Sequence, residues 1–235
     1  TLWNEEHRDY KKAIAHKVEH ETEMSFWRWI QFEFSNQWHA LVEHAHEKGI
    51  MIIGDMPIYV AHDSMDVWAA PEQFLLDENY NPGVVAGCPP DYFSPDGQLW
   101  GNPIYNWALM EEQGFSWWLD RIGSAFKLYD ILRIDHFRGF DAYYAIPYGE
   151  DTAMNGWWEK GPGMDLFLTV REKLGDAEVI AEDLGYMTDS VRKLVGDSGF
   201  PGMKVLEFAF DSRDSSSAND YLPHNYPDNA VVYTG

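Results

Sequence analysis

Short apolar runs alternate with helix-like segments along most of this chain. From Phe26 to Ala45 apolar residues recur every three or four positions, which predicts an amphipathic helix closed by Gly49. The same spacing predicts further helices over residues 107–127, 164–174 and 189–195. Between the helices lie apolar runs that predict buried strands, at residues 50–53, 129–135, 177–181, 203–210 and 230–233.

Strands that are separated by helical crossovers favour an α/β fold with a parallel sheet. No Gly-rich nucleotide turn follows any of these strands, which favours the (β/α)8 TIM barrel over a doubly wound sheet. Five strands cannot close an eight-stranded barrel, so residues 1–235 are predicted to be a partial catalytic barrel of about five β/α units. Residues 57–106, rich in Pro, Gly, Asp and aromatic side chains, are predicted to form a long loop or subdomain insertion over the active site.

Charge and composition narrow the classes of partner. The 235 residues include 39 acidic and 17 basic side chains, a formal net charge of -22, which disfavours nucleic acid and anionic membranes as partners. No apolar run approaches the roughly 18 residues of a membrane span, and no secretory signal opens the chain. Cys88 is the single cysteine, so an internal disulfide is excluded and a reducing compartment is compatible.

Aromatic residues make up 16% of the chain, with 11 Trp. Rings beyond the needs of a core are typical of surfaces that stack on the apolar faces of sugars, although most of these rings are expected in the core. The chain begins without Met and ends on a strand-like run, so we expect it to be an excerpt of a longer protein.

Acidic residues follow three of the predicted strands: Asp55, Asp135 and Glu182. The carboxyl ends of parallel barrel strands form one face, where catalytic groups gather. Carboxylates without a surrounding set of metal ligands suit glycoside chemistry, in which an ionised group attacks the anomeric carbon and a protonated group serves the leaving oxygen. The alternative for any one of them is a structural hydrogen bond or a helix cap.

Asp135 has further support from its neighbours. Arg133 precedes it by two positions, so both side chains lie on the same face of a strand, and the guanidinium would keep Asp135 ionised as a nucleophile. The alternative is an ordinary structural ion pair. His136 and Arg138 follow at once and are placed to contact sugar hydroxyls.

Glu182 must carry a proton to act as an acid. The preceding apolar residues 179–181 predict a desolvated position, which raises the pKa of a carboxyl group. The adjacent Asp183 is predicted to face away and to cap local structure.

Six stretches together resemble one family. They are Gly54-Asp55-Met56-Pro57-Ile58-Tyr59-Val60, Pro89-Pro90-Asp91-Tyr92-Phe93-Ser94, Gly97-Gln98-Leu99-Trp100-Gly101-Asn102-Pro103, Arg133-Ile134-Asp135-His136-Phe137-Arg138-Gly139-Phe140, Ile180-Ala181-Glu182-Asp183-Leu184-Gly185 and Pro201-Gly202-Met203-Lys204-Val205-Leu206. In this order they are similar to the 4-α-glucanotransferases called amylomaltases or disproportionating enzymes, glycoside hydrolase family 77 of the α-amylase clan.

The resemblance implies a (β/α)8 barrel and a cofactor-free, metal-free, retaining double displacement on malto-oligosaccharides and α-1,4-glucans in the cytoplasm. Asp135 matches the nucleophile, Glu182 the general acid/base and Arg133 the partner of the nucleophile. The implied substrate-binding positions are Asp55, Tyr59, Asp91, Tyr92, Gln98, Trp100 and His136. A retaining pair is expected to hold its carboxyl groups about 5–5.5 Å apart.

One family feature is not met within the chain. The third essential carboxylate, in a Thr-His-Asp-Asn stretch, is expected directly after Gly235, so the 235 residues alone are predicted to be inactive and poorly stable. Two other functions stay open: an α-glucan hydrolase of the same clan and a non-catalytic starch-binding protein.

Overall fold

The computed structural model describes residues 7–15, 20–91, 94–185, 187–210 and 216–235. The helices are α1 (Tyr10–Ala15), α2 (Glu21–Glu47), α3 (Met65–Ala69), α4 (Trp107–Glu112), α5 (Ser116–Ala125), α6 (Met164–Leu174) and α7 (Asp189–Ser198). The strands are β1 (Ile53–Pro57), β2 (Val84–Cys88), β3 (Gln98–Pro103), β4 (Ile131–Asp135), β5 (Ala142–Pro147), β6 (Trp157–Lys160), β7 (Val179–Ala181), β8 (Met203–Val205) and β9 (Val231–Tyr233). Short 3-10 turns occupy Pro71–Gln73, Phe137–Phe140, Leu206–Phe210 and Pro223–Asn225.

Five strands run parallel in the order of the chain. β1, β4 and β7 form one parallel sheet, and β8 pairs in parallel with β9. A parallel bridge between Ala181 and Gly202 connects β7 to the start of β8. The predicted α/β class with parallel strands is therefore confirmed, and each strand lies beside the next one in the series, as neighbouring strands of a (β/α) barrel do.

The alternation of side chains gives the β1-β4-β7 sheet two different faces. Leu132 and Ile134 of β4 are completely buried in the hydrophobic core, together with Ala181 of β7. Because successive strand residues point to opposite faces, Arg133 and Asp135 point to the other side. This second face carries the candidate chemistry.

Helices and aromatic rings cover the core face. Trp118 and Ile122 of α5 and Leu166 of α6 are buried against it, which explains the apolar spacing of these helices. Phe137 and Phe140, in the turn after β4, pack in the same cluster. Three tryptophans belong to this core cluster: Trp107, Trp117 and Trp118. Five other described tryptophans are exposed, so the expectation that most of these rings lie in the core is wrong for tryptophan: Trp27, Trp29, Trp100, Trp157 and Trp158.

A second, antiparallel sheet has the order β3-β2-β5-β6. Residues 57–106 contribute two of its strands, so this predicted insertion is partly ordered as a sheet. β5 and β6, over residues 142–160, form the other half, where the sequence predicted no strand. The sheet was missed because its pairing partners lie far apart in the chain, and its short strands lack a clear period of two.

Several predicted element boundaries differ from the structure, beginning with the first strand and the helix over 107–127. The strand predicted at 50–53 begins only at Ile53, while Ile50 donates its N–H to Ala45 O and completes the end of α2. The helix predicted over 107–127 is two helices, because Gly114 and Phe115 adopt left-handed backbone angles, with φ of 62° and 54°. Phe115 is buried by this bend, so tertiary packing explains the interruption.

The later strands are shorter than the apolar runs suggested. The run at 203–210 is a strand only to Val205 and then a 3-10 turn, and the run at 177–181 is a strand only from Val179. Helix α7 extends three residues beyond the predicted end. Within the ranges that the structure describes, none of the helices has the length and apolarity required to cross a bilayer.

Candidate active site

A charged cluster lies on the open face of the β1-β4-β7 sheet. Asp55 of β1 is directly opposite Arg133 of β4 in the strand register. Arg133 donates from Nη1 to Asp55 Oδ1 at 2.7 Å and from Nη2 to Asp135 Oδ1 at 2.8 Å. The predicted pairing of Arg133 with Asp135 is therefore present, and Asp55 lies in the same cluster although β1 continues for two residues beyond it.

The two aspartates are open to solvent while their arginine is not. The side chains of Asp55 and Asp135 are 65% and 46% exposed, compared with 20% for Arg133. Partial burial by itself lowers the pKa of Arg133, but the hydrogen bond and charge of Asp55 and the charge of Asp135 raise it overall. The guanidinium thus remains a fixed positive charge beneath two accessible carboxylates.

Glu182 joins this cluster from the end of β7. It follows directly after Ala181, which pairs with Ile134 of β4, so it lies beside Asp135 at the same end of the sheet. Burial raises the pKa of Glu182 and the charge of Asp135 adds to the shift, against hydrogen bonds from the Leu184 and His136 N–H groups and the charge of Arg133. The predicted desolvation of this carboxyl group is confirmed.

Two backbone N–H groups fix the Glu182 carboxyl group. His136 donates its N–H to Oε2 at 2.8 Å, and Leu184 donates its N–H to Oε1 at 2.7 Å. His136 reaches this position because its backbone is left-handed, with φ of 55° and ψ of 47°. A non-glycine residue in that region is uncommon and costs conformational energy, so the bend directly after Asp135 is imposed by its surroundings.

The His136 ring links the charged cluster to the second sheet. It lies edge-on to Trp100 of β3, with 4.8 Å between ring centroids. Burial lowers the pKa of His136 to about 4, with help from the charge of Arg138. Its Nε2 atom is buried and has no hydrogen-bond partner among the described residues. A buried polar atom without a partner is costly, so this nitrogen is positioned for a ligand group or a water molecule.

Trp100 leads to two other predicted binding residues. Its Nε1 donates to Gln98 Oε1 at 3.1 Å, and its ring lies 6.2 Å from that of Tyr59. Tyr59 is only 6% exposed, and burial raises the pKa of its hydroxyl group well above the usual value. Tyr59 therefore packs beneath Trp100 instead of presenting an open surface.

The remaining predicted residues are placed differently. Asp91 is exposed, and its Oδ1 accepts the N–H of Ser94 at 2.8 Å, which forms a local turn in the loop between β2 and β3. Tyr92 lies outside the residues that the structure describes.

Three residues near the cluster received no catalytic or binding role from the sequence. Met203 of β8 places its sulfur 3.1 Å from Arg133 Nε, and Asp183 accepts the Met203 N–H at 2.7 Å. The predicted structural role of Asp183 is therefore confirmed. Burial raises the pKa of the Cys88 thiol to about 11, and the charges of Asp91 and Glu182 also act on it. The run Pro201-Gly202-Met203 was the available sequence signal for the contact with Arg133.

The arrangement combines an arginine-paired carboxylate, a desolvated carboxyl group and a half-exposed Trp next to a neutral His. Such a site places an accessible carboxylate and a carboxyl group with a raised pKa on adjacent strands, which suits acid-assisted displacement at a sugar carbon. In the part of the chain that is described, no group of three or more His, Cys, Asp or Glu residues has a geometry that would hold a metal ion.

Comparison with known proteins gives one consistent result. The model of the family described as 4-alpha-glucanotransferase, glycoside hydrolase family 77, matches residues 1–235. A 4-alpha-glucanotransferase from Clostridium butyricum is 53% identical over 239 residues, covering 99% of this chain and 48% of the relative. One from Thermus thermophilus is 51% identical over 230 residues, covering 97% of this chain and 44% of the relative.

The solved structures agree with the sequence relatives. Amylomaltase from Streptococcus agalactiae in complex with acarbose superposes with a TM-score of 0.93 at 45% identity, covering 100% of this chain and 48% of that protein. The chain spans about half the length of the curated relatives it matches.

Proposed function

The chain belongs to the 4-alpha-glucanotransferase family, glycoside hydrolase family 77, and from this premise we propose that it carries the reacting carboxylates of such an enzyme. The proposed reaction transfers α-1,4-glucan segments between malto-oligosaccharides by a retaining double displacement. The single observation that carries the proposal is the pair Asp135 and Glu182 on adjacent strands, one bound to Arg133 and the other desolvated.

In the proposed first step Asp135 attacks the anomeric carbon. Its ion pair with Arg133 holds one carboxylate oxygen and leaves the half-exposed side chain accessible to a sugar. The bond from the anomeric carbon to the leaving oxygen breaks as the bond to Asp135 forms, and the leaving oxygen receives the proton of Glu182.

In the proposed second step Glu182 acts as a base. The carboxylate left after the first step accepts a proton from the incoming hydroxyl group, whose oxygen displaces Asp135 from the anomeric carbon. The bonds from the His136 and Leu184 N–H groups hold the carboxyl group in one orientation through both steps.

The second sheet supplies the proposed binding surface for the glucan. Trp100 is 36% exposed beside His136, whose unpartnered buried Nε2 is suited to a sugar hydroxyl group. A flat ring next to a neutral imidazole combines stacking with one directed polar contact. That the Streptococcus agalactiae relative forms a complex with acarbose supports a carbohydrate as the ligand of this chain. The other proposed contacts are Asp55, Tyr59, Asp91, Tyr92 and Gln98.

Residues 57–106 are proposed to shield the reaction from water. In β3 of this segment Trp100 lies against the ring of His136, which follows Asp135, and Gln98 accepts a hydrogen bond from the Trp100 indole. Covering a covalent glycosyl intermediate favours a sugar hydroxyl group over water as the second nucleophile. The parallel strands are correspondingly proposed to be part of an eight-stranded barrel, supported by their chain-order pairing and by the greater length of the relatives.

The test uses maltotriose and the intact protein. Transfer redistributes chain length while the total number of reducing ends stays constant, whereas hydrolysis raises that number with every bond cleaved. We expect products longer than maltotriose with nearly constant reducing ends. A rise in reducing ends equal to the bonds cleaved, at every acceptor concentration, would identify the hydrolase of the same clan. Binding of maltotriose without any bond cleavage would identify the non-catalytic starch-binding protein.

A further inference from the structure

The environment of Arg133 includes a sulfur atom that the proposed mechanism has not used. All three side-chain nitrogens of Arg133 have a partner: Nη1 binds Asp55, Nη2 binds Asp135, and Nε lies 3.1 Å from the Sδ atom of Met203. The three partners come from β1, β4 and β8. The orientation of the guanidinium plane is therefore fixed by contacts from three different strands.

Met203 is itself held in place. Its side chain is buried, with the residue 5% exposed, and its backbone N–H donates to Asp183 Oδ1 at 2.7 Å. The adjoining Gly202 bridges to Ala181, the residue before Glu182. A methyl group at Gly202 would lie 2.5 Å from Asp183 Oδ2, so the close approach of β8 to β7 depends on this glycine.

The chemistry of a thioether suits this position. Its sulfur accepts a weak hydrogen bond but carries no charge. A carboxylate at the same place would compete with Asp135 for the positive charge of Arg133, and an aliphatic side chain would leave the Nε–H without an acceptor. Only an uncharged acceptor orients the arginine and leaves its charge to the two aspartates.

We propose that Met203 is a positioning residue for the nucleophile: its sulfur orients Arg133 through Nε, so that both Nη groups hold Asp55 and Asp135 in the attacking geometry. The inference rests on the proposed function, because it assigns Asp135 as the nucleophile. It adds a role for β8, which contributes none of the proposed catalytic or substrate-binding residues.

The first test compares variants of the intact protein by the total rate of α-1,4 bond cleavage, whether the acceptor is a sugar or water. Met203→Leu keeps the approximate volume but removes the acceptor. We expect kcat to fall about 3- to 10-fold with little change in KM, the size of one hydrogen bond used in the transition state. Met203→Gln, which restores an uncharged acceptor, is expected to recover part of the loss.

Met56 provides a matched control. It is 6% exposed in β1 and packs in the hydrophobic core. Met56→Leu is expected to change thermal stability as much as Met203→Leu does, while kcat stays at the parent value. Equal kcat for Met203→Leu and the parent overturns the proposal, as does an equal loss in the Leu and Gln variants at position 203.

A second measurement needs no variant. The Nε–H of Arg133, observed in a ¹H–¹⁵N spectrum, is expected to exchange with water much more slowly than that of Arg28, whose side chain is 58% exposed. Equal exchange rates overturn the proposal even if the variants at position 203 do not fold. If the parent protein cleaves no glucan, the proposed function is wrong. The exchange rates still decide in that case whether the Arg133 Nε–H is bound to the Met203 sulfur.

Discussion

Two carboxyl groups on adjacent strands have different surroundings, and at the scale of single residues this difference assigns their proposed roles. Asp135 is half exposed and bound to a guanidinium, whereas Glu182 is desolvated and bound only by backbone N–H groups. An ion pair favours the charged form of an acid and burial favours the neutral form. The proposed nucleophile and the proposed proton donor are thus distinguished by environment and not by residue type.

Glu182→Gln tests the role of the proton donor. The amide keeps a similar shape but has no acidic proton to transfer, so we expect bond cleavage to fall by about 100- to 10,000-fold. Glu178→Gln, at an exposed position just before β7, is the matched control and is expected to retain full activity. The measurement is the redistribution of maltotriose by the intact protein. Full activity in Glu182→Gln would contradict the assignment.

The raised pKa of Glu182 also predicts a dependence of stability on pH. Because the folded protein binds this proton more tightly, the stabilisation is complete below the unfolded pKa of about 4.3 and is lost as pH rises through the folded value. The amide of Glu182→Gln does not ionise in this pH range. The unfolding temperature of the variant is therefore expected to rise relative to that of the parent as pH rises from about 4 to about 7. A difference in unfolding temperature that is constant over this range would show that burial does not raise the pKa of Glu182.

At the scale of elements, side-chain and backbone contacts set where strands begin and how closely they approach. Asp130, just before β4, accepts the Ile52 N–H at 2.7 Å and contacts His46 near the end of α2. It therefore ties together the end of α2, the start of β1 and the start of β4. At the other end of the sheet, Gly202 allows β8 to approach Asp183.

Asp130→Ala is expected to lower the unfolding temperature of the intact protein. The hydrogen bond from the Ile52 N–H lowers the pKa of Asp130, and the contact with His46 acts in the same direction. A lowered folded pKa gives stability that is present above the unfolded value of about 3.9 and is lost as pH falls through the folded one. The effect of the variant should accordingly shrink in acid. Asp120→Ala, exposed on α5, should show no such dependence, and equal behaviour of the two would refute the prediction.

Gly202→Ala is expected to lower both stability and activity. Its methyl group would meet Asp183 at 2.5 Å and disturb the hydrogen bond that the Met203 N–H donates to Asp183. Gly196→Ala is the control, because a methyl group in that part of α7 meets nothing within 4 Å and alanine favours a helix. Thermal unfolding compares the two variants. An unfolding temperature of Gly202→Ala at or above that of Gly196→Ala would contradict the tight approach of β8.

At the scale of the whole molecule, the long helix α2 has several large apolar side chains that are open to solvent in the described structure. They are Phe26, Trp27, Trp29, Phe32, Phe34 and Leu41. Many exposed large apolar side chains on one element are typical of an interface or a liability to aggregation.

A chain of these 235 residues is expected to associate in solution and to bind an apolar dye such as ANS, because these side chains are open to solvent. Light scattering and dye fluorescence check the two outcomes. A monomeric chain that binds no dye would contradict this prediction.

Sequence by itself determined the elements and the chemical candidates. Apolar spacing located the main helices and most parallel strands, and the two-residue interval between Arg133 and Asp135 placed both on one face. The apolar residues before Glu182 indicated its desolvation. These features are local, since side-chain direction and burial within one element follow from nearest neighbours.

Only the tertiary structure decided register and contacts between distant segments. It placed Asp55 opposite Arg133, brought the Met203 sulfur to Nε, and paired β2 with the unpredicted β5. In the structure β1 begins at Ile53, and not at Ile50 as the apolar run predicted. The physical reason is that strand pairing and side-chain contacts depend on partners far along the chain, about which a local pattern of apolar and polar residues carries no information.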